Sequence, residues 1–223
     1  MIEIITATRL TEQEFWNKSA LGISLKRLNF GNFMLCAAFE NSIGLPKIYN
    51  EFIHRSEDDN IIVFIHDDVW IDDYFFVNRI IEGLTVYDVI GIAGNRRRIP
   101  FQASWGFLDI NASQWDQENL SGAIAHGKQS FGNVMLFGDT PAECELLDGV
   151  FIAAKRKILI NNNVSFDPLF DFHFYDMDFC RSARQKGLHI GTWPICLTHQ
   201  SHALFGTQQW RDMYDMYIKK WKL

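Results

Sequence analysis

Apolar and polar positions along the chain alternate between short unbroken apolar runs and stretches with helical spacing. Apolar runs rich in β-branched residues are typical of buried strands, and apolar residues three or four positions apart are typical of helices that cover a sheet. The predicted strands are Met1–Ala7, Phe33–Phe39, Ile61–Ile65, Val86–Ala93, Glu145–Ala154 and Leu188–Cys196. The predicted helices are Thr11–Leu28, Lys47–His54, Asp72–Leu84, Arg156–Ile160, Asp176–Lys186 and Gln208–Leu223. This alternation predicts a single α/β domain whose mixed, mostly parallel sheet has helices on both faces.

Glycines and short β segments refine this picture. Gly22 is a candidate point of interruption in the first helix. Asp148 and Gly149 interrupt the strand that contains them, since glycine permits a bulge or a close approach of backbone. Short β pieces such as Trp105–Ile110 are expected in the segment 101–126, and a hairpin is expected to join this segment to Asn133–Phe137.

The polar residues that follow the third strand are the first candidate site. The run Ile61–Ile65 is continuously apolar, and polarity returns at His66, Asp67 and Asp68. Ligands of open α/β sheets bind beyond the carboxyl ends of the strands. Adjacent carboxylates repel each other unless they share a cation or hydrogen-bond donors, and oxygen ligands favour Mg2+ or Mn2+. The structural alternative is that the two aspartates begin a helix, where they would cap the positive end of its dipole.

Composition and charge restrict the classes of protein. The chain has 223 residues, of which 48% are hydrophobic, and a net charge of -6, which argues against a nucleic-acid partner. No apolar run is long enough for a transmembrane segment or resembles a signal peptide, so a cytoplasmic protein is expected. The four cysteines form no CxxC pair, which predicts buried, reduced thiols that pack in the core.

Several motifs, in this order along the chain, together resemble the GT-A glycosyltransferases. The resemblance is to the family-2-like group, and within it to the bacterial StrF-type proteins of the streptomycin cluster. No single motif is specific, but their order and spacing are. The motifs are Asn41-x-x-Gly44-Leu45-x-x-x-Tyr49-Asn50, His66-Asp67-Asp68-Val69, Leu147-Asp148-Gly149, Phe174-Tyr175-Asp176-Met177-Asp178-Phe179 and the late His199.

The resemblance implies a nucleotide-sugar donor, with UDP or GDP as the nucleotide, and a divalent metal, Mn2+ or Mg2+, at an Asp-x-Asp-type edge. Here His66 replaces the first aspartate of that edge, so His66 and Asp67 are assigned to the donor side and Asp68 to the metal. His199 and His202 follow the last predicted strand and are the remaining candidate ligands. The structural alternative for His66 is a neutral ring that is hydrogen-bonded beside the sheet.

The resemblance also implies a catalytic base at the start of a helix, where such families carry Glu-Asp-x-Asp/Glu-Phe. Asp176 corresponds to the base and Asp178 to the second acidic position, with a tyrosine in place of the glutamate. A carboxylate whose pKa is raised by partial burial can accept a proton from a sugar hydroxyl. This predicts an inverting enzyme, because no separate nucleophile is evident. Capping of the helix is the structural alternative for both aspartates.

Further residues are assigned by position. Thr6, Thr8 and Glu40 are candidates for nucleotide contacts. Arg96 is a candidate for the donor phosphates or an anionic acceptor, and the structural alternative, which is favoured, is that the basic run it begins is a solvated loop.

The acceptor side is assigned to residues of the second half of the chain. The acceptor is expected to be a glycan or a small molecule. Trp105 could stack on a sugar or belong to the core, and Asp148 with Gly149 could bind an acceptor hydroxyl or only shape a bulge.

The first half of the domain, residues 1–94, is expected to bind the nucleotide, and residues 95–223 to bind the acceptor and carry catalysis. The nucleotide half is shorter than in typical members, because only Phe33–Phe39 fills the place of a longer strand and its helix. A catalytically inactive GT-A-fold protein that binds a nucleotide or sugar is therefore one alternative. A nucleotidyltransferase is another, disfavoured because no Gly-rich basic loop follows the first strand.

Overall fold

The computed structural model describes residues 1–29, 32–200 and 205–222. Its strands are β1 (Ile2–Ala7), β2 (Phe33–Ala38), β3 (Ile61–Ile65), β4 (Val69–Ile71), β5 (Val89–Gly91), β6 (Ala93–Asn95), β7 (Leu120–His126), β8 (Asn133–Gly138), β9 (Ala142–Glu143), β10 (Leu146–Leu147), β11 (Phe151–Lys155), β12 (Ile190–Thr192) and β13 (Leu197–His199). Its helices are α1 (Glu12–Lys18), α2 (Ala20–Arg27), α3 (Leu45–His54), α4 (Phe76–Gly83), α5 (Arg156–Asn161), α6 (Tyr175–Gln185) and α7 (Gln208–Trp221).

A seven-stranded sheet forms the centre of the fold, with the order β2-β1-β3-β11-β5-β12-β9. β1 pairs in parallel with both β2 and β3, and β12 pairs in parallel with β5. β11 runs antiparallel to β3 and β5, and β9 runs antiparallel to β12. Five of the seven strands therefore point in the same direction, which confirms the mixed, mostly parallel sheet.

The core lies on both faces of this sheet, as expected for strands that are apolar throughout. Ile4 of β1 packs on one face with side chains of α1, α2 and α4, and Ile5 packs on the other with side chains of α3, α5, α6 and α7. The same alternation holds along β3, where Val63 and Phe64 face opposite cores. Helices therefore cover both faces, as predicted.

A second, six-stranded sheet follows the order β10-β6-β7-β13-β4, with β8 paired to β7. Three predicted strands were each too long, because the chain changes sheets within two of them and leaves the first sheet before the end of the third. Val86–Ala93 divides into β5 and β6, Glu145–Ala154 into β10 and β11, and Leu188–Cys196 ends as β12 before β13 begins. The interruption at Asp148 and Gly149 was predicted, but the transfer between two sheets was not.

Other boundaries differ from the prediction for local reasons. The first helix breaks at Ser19, whose hydroxyl donates to Phe15 O at 2.8 Å and accepts from Gly22 N at 2.9 Å. Gly22 lies inside α2, where an added Cβ would stand 2.3 Å from Phe15 O. The helix predicted over Asp72–Leu84 begins only at Phe76, after β4 and a turn.

The middle of the chain agrees with the prediction only in part. β7 and β8 form the expected antiparallel hairpin. The short β pieces expected at Trp105–Ile110 reduce to one isolated bridge between Phe107 and Trp115 among the described residues. No helix in the described ranges is both long enough and apolar enough to cross a membrane.

The cysteines are free thiols, and most of them lie in the core as predicted. Cys36, Cys144 and Cys180 are buried. Cys196 is exposed, which contradicts the expected burial, because it precedes β13 at the surface.

A buried cluster of charges lies below the amino end of β1. Arg156 is fully buried and donates two hydrogen bonds to the carboxylate of Glu3, which is 2% exposed. Arg55 and Asn60 also donate to this carboxylate, and Asp58 accepts from Arg156. Burial alone would raise the pKa of Glu3, but these donors and the positive charges of the two arginines hold it below its usual value. The cluster ties β1 to α5 and to the loop before β3.

Glu3→Gln is expected to lower the free energy of unfolding at pH 7 by about 3 kcal/mol, since it leaves Arg156 buried with only part of its counter-charge. Because the folded pKa of Glu3 lies below the unfolded value of about 4.3, this stabilisation is complete above that pH and is lost as pH falls through the folded pKa. Urea unfolding of both proteins between pH 7 and pH 4 measures the difference, which should shrink on acidification. Glu82→Gln, which removes an exposed ion pair with Arg79, is the control and should change little.

Candidate active site

Three side chains from separate segments meet beyond the carboxyl end of β3. His66 follows β3, Asp68 precedes β4, and His199 is the last residue of β13. One ligating atom from each lies within 4.8 Å of the other two, and His199 Nε2 lies 3.3 Å from Asp68 Oδ1. All three side chains are partly buried. Two imidazoles and a carboxylate at this spacing are a donor set that can hold one divalent cation.

Strand pairing brings two of these ligands together. β13 runs antiparallel to β4, with His199 opposite Val69. The backbone N–H of Gln200 also donates to the carbonyl of Asp68 at 3.0 Å. The two predicted ligands Asp68 and His199 are thus held side by side by backbone hydrogen bonds. His199 belongs to a strand of the second sheet, although the sequence placed it in a segment after the last strand.

The third member of the cluster differs from the prediction. His66, assigned to the donor side, stands in the cluster, whereas the predicted ligand His202 lies outside the described residues. Burial lowers the pKa of His66. The negative charge of Asp68 acts in the other direction but does not cancel this effect, so the ring favours its neutral form. Burial alone would also lower the pKa of His199, but the hydrogen bond to Asp68 and its negative charge raise it. His66 is therefore the imidazole that is more ready to act as a ligand at neutral pH.

A cavity of about 120 Å³ lies beside this cluster, and His66 forms part of its wall. Four other residues singled out by the sequence also line it, namely Trp105, Asp148, Gly149 and Asp176. Trp105 is partly buried, and its ring packs edge-on against Phe137 at 5.0 Å. The structure therefore brings the candidate base and the candidate acceptor residues to one cavity.

Asp176 lies at the start of α6, with both carboxylate oxygens engaged by backbone. Gly149 N donates to Oδ2 at 3.0 Å and Met177 N donates to Oδ1 at 2.8 Å. Burial and the negative charge of Asp148 raise the pKa of Asp176 to about 7, although the two backbone donors oppose the rise. A carboxyl group with this pKa can exchange a proton near neutral pH, which suits a general base.

The Asp148-Gly149 turn lies directly against the start of α6. Asp148 Oδ1 accepts from Val150 N at 2.9 Å, which closes the turn between β10 and β11. A Cβ at Gly149 would stand 2.4 Å from the hydroxyl of Tyr175 and 2.9 Å from Cβ of Asp176. Only glycine allows this close approach of the turn to the start of α6.

The predicted nucleotide contacts lie along the carboxyl ends of β1 and β2. Thr6 is fully buried, and its hydroxyl has no hydrogen-bond partner among the described residues. Thr8 is hydrogen-bonded to Asp67. Burial raises the pKa of Asp67, although this hydrogen bond opposes the rise. Glu40 is exposed, and its N–H donates to Leu10 O at 3.0 Å. These four residues therefore border one edge of the sheet, beside the metal cluster.

Two predicted site residues lie elsewhere. The guanidinium of Arg96 is exposed and donates to the carbonyl of Glu118, and Arg96 does not line the cavity. Asp178 is fully buried between α6 and α7, where Lys220 Nζ lies 2.6 Å from its Oδ1 and Trp221 Nε1 donates to it at 2.9 Å. Residues two apart on a helix point in nearly opposite directions, so Asp178 cannot share the cavity that Asp176 lines. Asp178 holds the two helices together.

Other residues of the cavity were given no site role by the sequence analysis. Phe172 stacks on His66, with ring centroids 6.1 Å apart, and the hydroxyl of Tyr175 lies 2.8 Å from His66 Nε2. Tyr175 is adjacent to the predicted base, so its place in the motif was an available signal. Phe205 and Trp210 also line the cavity, from a segment far along the chain that gives no local signal.

The fold and this site together define a GT-A-type α/β protein. The chain belongs to the Glycosyltransferase like family, whose sequence profile matches residues 36–218. This confirms the resemblance to family-2-like glycosyltransferases. No curated protein sequence matches the chain.

Several solved structures are similar to this chain at low sequence identity. GalNAc-T7, solved with UDP, GalNAc and Mn2+, is 9% identical, with a TM-score of 0.58 over 98% of this chain and 47% of its own. The catalytic domain of Drosophila β1,4-galactosyltransferase 7, solved with xylobiose, is 11% identical, with a TM-score of 0.51 over 96% and 79%. S. aureus TarS is 14% identical, with a TM-score of 0.49 over 90% and 36%. The chain thus spans less than half of two of these proteins.

Asp148→Asn is expected to lower the pKa of Asp176 from about 7, because it removes a neighbouring negative charge without changing the shape of the turn. The pKa should stay above the ordinary aspartate value, since burial, the larger cause, is unchanged. A carboxyl-carbon NMR titration of Asp176 measures the shift. Asp109→Asn, in a loop outside the cavity, serves as the control. An Asp176 pKa that is the same in all three proteins would contradict this account of the site.

Proposed function

We propose that the protein is a metal-dependent glycosyltransferase that moves a sugar from a nucleoside-diphosphate sugar to an acceptor hydroxyl with inversion. The observation that carries this proposal is the meeting of His66, Asp68 and His199 beside a cavity that also contains Asp176. The reaction needs a cation near the leaving group and a proton acceptor near the attacking hydroxyl. One end develops negative charge on the departing diphosphate, and the other releases a proton from the attacking hydroxyl.

The donor set at the cluster fits a transition-metal ion better than Mg2+. Mg2+ prefers an octahedron of oxygen ligands, whereas imidazole nitrogens suit softer divalent ions. Two of the three candidate ligands are imidazoles, so we expect Mn2+ to bind more tightly than Mg2+. When bound, such an ion stabilises negative charge on phosphate oxygens. His66, Asp68 and His199 would hold it.

Asp176 acts as the general base in this proposal. Its carboxylate takes the proton of the acceptor hydroxyl as the oxygen attacks the anomeric carbon, and the bond from that carbon to the diphosphate breaks. Attack from the face opposite the leaving group inverts the configuration. The raised pKa of about 7 makes Asp176 a stronger base than an ordinary aspartate. The hydrogen bonds from Gly149 N and Met177 N fix its orientation.

The donor nucleotide is placed along the carboxyl ends of β1 and β2. Thr6, Thr8, Asp67 and Glu40 border this edge, although the hydroxyl of Thr6 is fully buried. UDP and GDP are both consistent with the fold, and GalNAc-T7 was solved with UDP. The apolar and aromatic wall that contains Trp105 is assigned to the acceptor, a glycan or a small molecule.

A protein of this fold that binds nucleotide without turnover is the second candidate. β2 is the edge strand of the first sheet among the described residues, so the nucleotide edge rests on β1, β2 and the turns after them. Fewer contacts to the base and ribose favour weaker donor binding. Separate measurements of binding and of turnover distinguish the two candidates.

The first test of the proposal is metal-dependent nucleotide binding. UDP, GDP and CMP are titrated with and without Mn2+ or Mg2+ while the thermal midpoint is recorded. One nucleotide should stabilise the protein, more strongly with Mn2+, and Asp68→Asn should remove the metal-dependent part because it deletes the charged ligand. Asp109→Asn is the matched control. Absence of any shift at millimolar nucleotide would reject the transferase and the binding protein together.

The second test concerns the base. Asp176→Asn should lower turnover of the sugar donor by about 10²–10⁴-fold, because it removes the proton acceptor, while nucleotide binding persists. In the unmodified enzyme, kcat/KM should rise with pH through about 7 and level off above it, since only the deprotonated carboxylate accepts a proton. Asp178→Asn is the comparison, and it should reduce stability rather than turnover. Equal losses of turnover in the two variants would refute the assignment, and NMR of the product gives the anomeric configuration.

A further inference from the structure

We propose that Tyr175 is a positioning residue that fixes the tautomer of His66, so that Nδ1 of this histidine carries the lone pair that binds the metal. The inference rests on the proposed function only in assuming that the cluster binds a cation. It assigns a role to the residue that replaces glutamate in the motif before the base. Tyr175 itself contacts neither the metal nor the reacting atoms in this proposal.

The direction of the hydrogen bonds at the Tyr175 hydroxyl carries the argument. This oxygen lies 2.8 Å from His66 Nε2 and 2.9 Å from the carbonyl oxygen of Gly149. A phenol has one proton to donate, and a carbonyl oxygen can only accept. The Tyr175 proton must therefore go to Gly149 O, and His66 Nε2 must donate its own proton to the Tyr175 oxygen.

This direction determines the form of the imidazole. A neutral imidazole carries a proton on one nitrogen and a lone pair on the other. With the proton on Nε2, the lone pair of His66 lies on Nδ1, which is then the only ring nitrogen able to ligate a cation. Histidine ligands commonly have their second nitrogen fixed in this way by a hydrogen-bonded neighbour. The neighbour is usually a carboxylate, a carbonyl or water. Here it is a tyrosine hydroxyl, whose own orientation is fixed by its hydrogen bond to a backbone carbonyl.

Packing prevents Tyr175 from reorienting. The side chain is 3% exposed, and its ring lies 6.1 Å from that of Tyr49 and 5.9 Å from that of Phe166. Gly149 leaves room for the hydroxyl, since any Cβ at this position would stand 2.4 Å from it. The two hydrogen bonds of the hydroxyl are therefore imposed by the fold.

The same hydroxyl connects the metal ligand to the base. Gly149 accepts from Tyr175 through its carbonyl and donates through its N–H to Asp176. His66, Tyr175, Gly149 and Asp176 thus form one continuous chain of hydrogen bonds across the wall of the cavity. Removing the Tyr175 hydroxyl should loosen the metal ligand first, because His66 Nε2 has no other hydrogen-bond partner among the described residues.

The direct test is the protonation of the His66 ring in the unmodified protein without metal. Nitrogen-15 NMR distinguishes a protonated from an unprotonated ring nitrogen at neutral pH. We expect a protonated Nε2 and an unprotonated Nδ1. A ring protonated on Nδ1 instead would overturn the inference, whether or not the protein is a transferase.

The second arm uses Tyr175→Phe, with Tyr49→Phe as the matched control. Tyr49 is fully buried beside Tyr175, and its hydroxyl has no hydrogen-bond partner among the described residues. Mn2+ affinity is measured from the electron spin resonance signal of the free ion. Tyr175→Phe should weaken Mn2+ binding by about 10–100-fold and give a mixture of His66 tautomers. Tyr49→Phe should change neither, although both variants lose a buried hydroxyl.

The outcomes separate this inference from the proposed function. If the unmodified protein binds no Mn2+, the metal-dependent function fails, while the NMR measurement still decides the tautomer. If it binds Mn2+ and Tyr175→Phe binds equally well with an unchanged tautomer, the positioning role is wrong and the proposed function stands. A purely structural role would lower the thermal midpoint of Tyr175→Phe without affecting the tautomer, and that result also overturns the inference.

Discussion

Antiparallel pairing of β13 with β4 is the contact on which the candidate site depends. Without it, Asp68 would end a turn of the first sheet and His199 would lie on a distant segment. The pairing joins a residue just after the central strand β3 to a residue some 130 positions later, so that both ligands occupy one corner where the two sheets meet. The candidate site therefore needs residues of both sheets, since the second sheet brings His199 next to the acidic residues that follow β3.

Much of the fold could be predicted from residues that act locally. The apolar run Ile61–Ile65 was correct as β3 because five consecutive apolar residues suit a strand that is buried on both faces. The long runs Val86–Ala93 and Leu188–Cys196 were wrong in length, since an apolar residue is equally compatible with the first sheet and the second. The hydrogen-bond partner of a strand is a non-local property, which periodicity along the chain does not contain.

The candidate site shows the same division between local and distant information. Asp68 was found because it is polar and follows an apolar strand, and His199 because it follows the last predicted strand and matches the family resemblance. Asp176 was found only through the motif that the resemblance supplied. Asp178 was assigned with Asp176 because the two are close in sequence, but helical geometry turns it toward Lys220. Tyr175 was noted in the sequence only as the residue that replaces glutamate in the motif, and no site role was assigned to it. Its importance comes from a glycine 26 positions earlier, which only the folded chain brings into contact.

The wall of the cavity is built partly from α7, through Trp210. None of the candidate ligands, the candidate base and the candidate nucleotide residues lies on this helix, and it packs on α6 through side chains such as Tyr217 and Trp221. If this wall binds the acceptor as proposed, related proteins could acquire new acceptor preferences by exchanging the sequence of this helix alone. The chemistry and the choice of substrate would then evolve as separable parts of the same small domain.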